Sequence, residues 1–242
     1  MKISGVVITY NEEKNIGKCI DSFRDLTDEI IVVDSFSTDR TEMICREKGA
    51  KFIQHKFEGH IEQKNFAISQ ASNDWILSLD ADEQLSPELI RSIREQKEKQ
   101  KVSTEFFQMN RLNNYCGKWI KHGIWYPDKK IRLWNKQNGS WGGTNPHDKV
   151  IISEGAKVEF LNGDILHFTV SSRDEYFSQQ KKFALLSNQE RKKRNEKNYL
   201  PVFIRAAFAF FRSYILRAGF LDGTAGYDIA RGFAYYTKVK YS

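Results

Sequence analysis

Four short apolar runs lie in the first hundred residues, each closed by polar residues and followed by a helical pattern. No other feature constrains the fold as tightly. The runs Ile3–Thr9, Glu29–Val33, Lys51–His55 and Trp75–Leu79 predict strands, while Glu13–Arg24, Thr41–Glu47, Ile61–Ala71 and Pro87–Lys99 predict helices. The second helix carries apolar Met43 and Ile44 and meets its stop at Gly49. Such alternation with short links predicts an α/β chain with a mostly parallel central sheet and helices on both faces. Ligands of these sheets bind outside the carboxyl ends of the strands. The polar residues at those ends are therefore the ones to inspect.

The fourth strand carries the sharpest signal, in the stretch Trp75-Ile76-Leu77-Ser78-Leu79-Asp80-Ala81-Asp82-Glu83. Its run of large side chains predicts burial on both faces, and it delivers two aspartates where the strand must end. Aspartate is a poor strand former and costly to bury unpaired, so the pair calls for a counter-charge. A hard divalent cation bearing a phosphate ligand supplies one, because oxygen ligands suit Mg²⁺ or Mn²⁺. A lone pair of this kind also fits a solvated turn that caps the helix starting at Ser86-Pro87-Glu88. The first strand, however, ends in Thr9-Tyr10-Asn11-Glu12-Glu13, the second in Asp34-Ser35-Phe36-Ser37-Thr38-Asp39, and the third helix opens with Gln63-Lys64-Asn65. One such cluster reads as capping and turn formation; clusters at successive strand ends read as one shared edge.

This ordered set resembles the inverting glycosyltransferases of family 2, which have the GT-A fold, over roughly residues 3–170. By position, the resemblance implies that Thr9, Asn11 and Glu12 line the nucleoside of a nucleotide-sugar. It implies Asp34 beside the base or ribose, Lys64 near the base or diphosphate, and Asp82 on a divalent cation with Asp80 beside it. Ser35 stands where many members carry a second acid, and Asp34 is its substitute. Among family members the wording is most similar to bacterial enzymes that extend the lipopolysaccharide inner core, which implies UDP-glucose as donor.

Beyond Lys101 the pattern changes to aromatic-rich segments of antiparallel character. Phe106–Arg111 and Lys130–Trp134 predict strands, with a loop or hairpin at Tyr115–Pro127 between them. Aromatic rings either fill a core or stack on the apolar faces of sugars; Trp125 and Tyr126 beside Pro127 are the pair expected to be exposed to an acceptor. A second stretch, Trp141-Gly142-Gly143-Thr144-Asn145-Pro146-His147-Asp148, couples glycines that allow close backbone approach with a proline that stiffens the turn. In the family a glycine loop followed by an acidic dipeptide supplies the general base. The resemblance thus gives that role to Asp148, with His147 beside the acceptor. His167 closes a short apolar run and reads either as a packed core residue or, by the resemblance, as a metal or diphosphate contact.

From Ser172 the chain turns helical, dividing a catalytic domain over 1–171, with halves 1–100 and 101–171, from an extension over 172–242. The formal net charge of +7 resides in that extension: residues 173–242 carry 14 Lys and Arg against 6 Asp and Glu. Leu200–Leu221 is rich in Phe and Leu but interrupted by Arg205, Arg212 and Arg217, so it cannot cross a bilayer at low cost. It suits a helix lying in a membrane interface, with Arg191–Arg194 on anionic headgroups, or a helical subdomain with a solvated basic face. Three widely spaced cysteines, Cys19, Cys45 and Cys116, exclude a disulfide framework and a zinc site. The N-terminal apolar stretch is too short for a signal peptide. The expected place is the cytoplasm, peripheral on the inner face of the cytoplasmic membrane.

The expected function is therefore metal-dependent transfer of a sugar from a nucleotide-sugar to a hydroxyl of a saccharide or lipid-linked saccharide, as hexosyl transfer, without nucleic acid as partner. Three rivals stand beside it. A sugar-phosphate nucleotidyltransferase would open with a Gly-rich, Arg-containing phosphate loop, where this chain has Thr9-Tyr10-Asn11. A basic nucleic-acid binder would accompany its charge with aromatic RNA motifs, and the basic residues here cluster in one tail. An inactive interaction protein would have no use for Asp80, Asp82 and Asp148.

Overall fold

The computed structural model describes residues 1–99, 102, 104–144, 147–194 and 200–242, with the backbone alone at His147. They divide into two compact units: Met1–Arg111 with Lys129–His167, and Leu112–Asp128 with Phe168–Ser242.

The first unit opens with β1 (Ile3–Thr9), α1 (Ile16–Phe23), β2 (Glu29–Asp34), α2 (Thr41–Glu47), β3 (Lys51–Gln54), α3 (His60–Ser69) and β4 (Trp75–Asp80). Strands β3, β2, β1 and β4 lie side by side in parallel. Next come β5 (Glu83–Leu85), α4 (Pro87–Glu98) and β6 (Phe106–Tyr115). Ser86 caps α4 by accepting the Leu89 N–H at 3.3 Å, with Pro87 in the first turn. β7 (Lys118–Trp119) belongs to the second unit, and β8 (Asp128–Asn135) pairs antiparallel with β4. A hairpin of β9 (Gly139–Thr144) and β10 (His147–Ile152) precedes β11 (Val158–Val170), whose Ile165–His167 pair antiparallel with β5.

Alternation along the strands buries both faces of the parallel sheet. On one face Ile3, Val7, Val32, Leu77 and Leu79 pack beneath Ile16, Ile20 and Phe23 of α1, Cys45 of α2, and Leu89 and Ile93 of α4. On the other, Val6, Ile31, Val33 and Ile76 meet Ala67 and Ile68 of α3 together with Trp134, Trp141 and Val150. The four expected parallel strands are observed with ends that agree to within one residue, whereas β6 and β8 run longer than the expected Phe106–Arg111 and Lys130–Trp134. Helix α1 starts at Ile16 rather than at Glu13, because residues Glu12–Asn15 form a turn closed by the Asn15 N–H on the Glu12 carbonyl (3.0 Å) and Asn15 Nδ2 on Glu12 Oε2 (2.8 Å).

The second unit contains the paired residues Asn114↔Trp119 and Tyr115↔Lys118 and three helices, α5 (Arg173–Lys193), α6 (Val202–Phe211) and α7 (Gly223–Lys240). Tyr115, Ile120, Val170, Tyr176, Ala225 and Ile229 form its core, with Trp125 packed against them. A Cβ on Gly232 would stand 2.2 Å from the Tyr176 hydroxyl, so glycine is what lets α5 and α7 approach. Asp228 accepts the Tyr115 hydroxyl (3.1 Å) and pairs with Arg173 (2.6 Å). Asp222 accepts the His122 backbone N–H at 2.8 Å, which fixes the 112–128 loop to the start of α7.

Candidate functional site

Parallel pairing sets the edge on which the site is built. Thr9 lies opposite Asp34, and Ile8 opposite Asp80, so β1, β2 and β4 all deliver their last residues to one side. Lys64 of α3 projects over that edge. Its ammonium, in a side chain only 4% exposed, lies 2.8 Å from Asp80 Oδ1 and 2.7 Å from Asp148 Oδ2. It also stands 4.2 Å from the centre of the Trp141 ring, a cation–π contact. Residues 80 and 148 are thus joined through one cation although 68 positions separate them in the chain.

Each residue of Gln63-Lys64-Asn65 has a separate task. Gln63 donates from Nε2 to Ser35 Oγ (3.1 Å) and to the His55 carbonyl (3.3 Å), tying the β2 turn to the end of β3. Asn65 clamps the Trp141 backbone, donating to its carbonyl at 2.9 Å and accepting its N–H at 3.0 Å. The clamp fixes β9, and pairing of Asp148 with Gly143 carries β10 to the Lys64 ammonium.

A second layer of buried charge lies beneath. Arg132 of β8, buried, extends Nη2 to Asp80 Oδ2 at 3.0 Å and to Glu83 Oε1 at 2.9 Å. Arg111 reaches Glu83 Oε1 at 3.3 Å, and Glu83 Oε2 accepts the Asp80 backbone N–H at 3.1 Å. Burial pushes the Asp80 carboxyl up, but Lys64 and Arg132 together hold it well below the usual carboxylate range. Burial likewise opposes ionisation of Glu83, and Arg132 and Arg111 outweigh it, so its carboxyl also titrates low. The same acids raise the Arg132 guanidinium against the effect of burial. Sequence reasoning passed over Arg132, Arg111 and Glu83. A legible signal did exist: Arg132 interrupts the run Ile131-Arg132-Leu133-Trp134, and a buried strand tolerates a charge only when it is paired.

Asp82, two residues beyond Asp80 in the same turn, has Oδ2 3.2 Å from His167 Nε2, both side chains partly exposed. One carboxylate oxygen beside one imidazole nitrogen is a pair of donors that a divalent cation such as Mn²⁺ can accept. Asp80 differs, because both its oxygens already face cations. Among the described residues no group of three or more His, Cys, Asp and Glu is arranged to hold a metal.

Thr9 is buried at the strand end, and its hydroxyl oxygen has no hydrogen-bond partner among the described residues. Asn11 accepts the Thr38 N–H at 2.8 Å, and the Glu12 N–H donates to Thr41 Oγ1 at 2.9 Å. Burial raises the Glu12 carboxyl against the pull of its Asn15 hydrogen bond, and the nearby charges of Asp82 and Asp39 add to the rise. Asp34 is fully buried, with both oxygens engaged by Ser37 of its own turn. Trp125 and Tyr126 belong to the second unit and are half-buried rather than exposed. Trp125 packs edge-on against Tyr115 and Tyr176, at 6.1 and 5.6 Å between ring centres. Residues Asn145 and Pro146 and the His147 side chain, the latter expected beside the acceptor, lie outside the described residues.

The family model described as glycosyl transferase family 2 matches residues 4–157. A glycosyltransferase of Rickettsia typhi is 32% identical over 253 residues, covering 97% of this chain and 83% of its own. The lipopolysaccharide core biosynthesis glycosyltransferase LpsC of Rhizobium meliloti is 26% identical over 98% of this chain and 89% of its own. The crystal structure of glucosyl-3-phosphoglycerate synthase from Mycobacterium tuberculosis overlaps 47% of this chain and 44% of that one, at 25% identity and a TM-score of 0.39.

Proposed function

The chain belongs to glycosyl transferase family 2, and from that premise we propose that it transfers a sugar, with inversion, from a nucleoside-diphosphate donor to a saccharide hydroxyl. One observation carries the reading: a buried ammonium at the carboxyl edge of a parallel sheet holds Asp80 and Asp148 together, with Asp82 and His167 alongside. An edge of this kind supplies both a cationic seat for a diphosphate and a carboxylate for a proton.

Asp82 and His167 would hold the divalent cation. When bound, such an ion offsets charge on the departing diphosphate. Lys64 stands where it can add its own positive charge to the same oxygens. Asp148 takes the proton from the acceptor hydroxyl as that oxygen bonds to the anomeric carbon. The bond from that carbon to the diphosphate breaks on the opposite face, and the nucleoside diphosphate leaves with the electron pair. Attack and departure on opposite faces invert the configuration, as in inverting hydrolysis. Arg132 and Glu83 touch no reacting atom; they position the Asp80-Ala81-Asp82 turn. UDP-glucose is the donor we favour, and the likeness to LpsC over nearly the whole chain supports a lipopolysaccharide core acceptor.

A thermal-shift panel of UDP-, GDP- and dTDP-sugars with and without Mn²⁺ tests this. A donor that binds the folded state raises its midpoint, and UDP-glucose with Mn²⁺ is expected to give the largest rise. Asp82→Asn should remove most of the metal-dependent part and leave the metal-free shift in place. Equal shifts for wild type and variant would take the cation away from Asp82. Release of pyrophosphate instead of UDP during turnover would make the protein a nucleotidyltransferase.

The extension supports docking on an anionic membrane. Helix α6 buries only Ala209 and leaves Phe203 72% exposed, with Phe208, Leu216 and Leu221 also outward and Arg212 and Arg217 exposed nearby. No helix among the described residues is long and apolar enough to cross a membrane. Exposed aromatics flanked by arginines suit an interface that is apolar below and anionic above. In flotation assays the protein should rise with vesicles containing anionic phospholipid and stay down with neutral ones. Phe203→Glu with Phe208→Glu should weaken that binding by at least about tenfold, since burying each phenyl side chain is worth about 1.5–3 kcal/mol. Wild type and variant remaining together in the soluble fraction would leave α6 without this role.

A further inference from the structure

The turn after β2 is built so that one side chain is left over. The Ser35 N–H donates to the Thr9 carbonyl at 3.0 Å, and Ser35 Oγ accepts from Gln63 at 3.1 Å. The Ser37 N–H donates to Asp34 Oδ2 at 2.7 Å, and the Ser37 hydroxyl donates to Asp34 Oδ1 while accepting the Asn11 N–H at 2.7 Å. Thr38 donates its N–H to Asn11 Oδ1. Every polar residue from Asp34 to Thr38 is thus tied to the scaffold.

Phe36, in the middle, is 54% exposed, lies outside the core clusters and makes no ring contact among the described residues. Its backbone is left-handed, with φ +62°. Asn11 across the loop shares this conformation at φ +53°, but asparagine tolerates it, whereas for a bulky residue it is an outlier. An exposed phenyl ring on a strained backbone opposes stability twice. Such outliers persist where the surroundings over-determine them, and they gather at ligand sites.

Position narrows the ligand. β1 separates β2 from β4 in the sheet, so two strand spacings, roughly 10 Å, lie between the Phe36 turn and the acidic end of β4. A nucleoside diphosphate seated with its phosphates by Asp82 and Lys64 would bring its base to about that distance. Asp34, enclosed in its own turn, is not free to meet that base. Resting on the transferase reading above, we propose that Phe36 is the stacking surface for the donor nucleobase, held rigid by the Asp34–Ser37–Asn11 cross-link, and so a determinant of donor affinity.

Titration calorimetry of UDP, and separately of inorganic pyrophosphate, each with Mn²⁺, tests this in wild type, Phe36→Gly and Phe36→Tyr. Glycine accepts φ > 0 without steric strain, and relief of that strain offsets its extra freedom in the unfolded chain, so Phe36→Gly should melt at or above the wild-type midpoint. Its UDP affinity should nevertheless fall roughly 5- to 10-fold, the scale of a lost base–aromatic stack. Pyrophosphate affinity should be unchanged, and Phe36→Tyr should restore UDP binding. A Phe36→Gly protein that binds UDP as wild type does overturns the proposal, as does equal loss of UDP and pyrophosphate. Wild-type protein that binds no UDP, GDP or dTDP overturns the transferase reading as well, which separates the two failures.

Discussion

Asp148→Asn is expected to slow sugar transfer by about 10²- to 10⁴-fold, the usual contribution of a positioned general base, while donor affinity changes little. The substitution keeps shape and leaves an oxygen to accept from Lys64, which retains Asp80 as its second partner at 2.8 Å. What disappears is the ability to take a proton from the acceptor hydroxyl. A loss confined to kcat in single-turnover assays, with the donor titration intact, is the signature of that role. If donor binding collapses instead, Asp148 serves the ammonium that seats the diphosphate, and the proton acceptor lies elsewhere. Asp148→Ala separates these outcomes further: without the oxygen that accepts from Lys64, a binding role would show in KM.

Legibility in the sequence followed the range of the interactions. The four parallel strands could be read because each is a short apolar run whose burial is decided locally, and alternation of Ile3 and Val7 with Val6 assigns the two faces. The grouping of polar residues at successive strand ends was legible for the same reason. Partners were not. Arg132 and Glu83 stand 49 residues apart, and nothing periodic links a basic residue in one strand to an acid beyond another. Trp125 illustrates the same limit. Beside a proline it reads as exposed, yet Tyr176, 51 positions downstream, provides the surface that half-buries it. Asp34 was legible as a strand-end acid but not as a local one: only the turn geometry reveals that Ser37, three residues on, takes up its carboxylate. In the His167 case the sequence left core packing and ligation side by side, and the approach to Asp82 at 3.2 Å is a tertiary fact.

Arg132→Met should produce the largest loss of stability of any single substitution at the site. The guanidinium is buried against Trp141 and neutralises two acids, one of them, Glu83, with no exposed surface. Removing one partner of a buried ion pair typically costs about 3–5 kcal/mol, because the remaining charge stays desolvated. Lys64 still faces Asp80 and Arg111 still faces Glu83, which places the expected loss toward about 3 kcal/mol. For a chain of this size that corresponds to a fall in thermal midpoint on the order of 10 °C. The cause can be isolated by pairing the substitution with Glu83→Gln, which removes the charge Arg132 leaves behind. If the buried acid carries the penalty, the double variant should be more stable than the sum of the two single losses by about 1–3 kcal/mol. Strict additivity would mean that Arg132 acts through its packing on Trp141 and not through Glu83. Arg132→Lys sharpens the contrast, since an ammonium keeps the charge near Asp80 and Glu83 but lacks the guanidinium plane that packs on Trp141. It should recover the part of the stability owed to neutralising Asp80 and Glu83 and leave unrecovered the part owed to packing on Trp141.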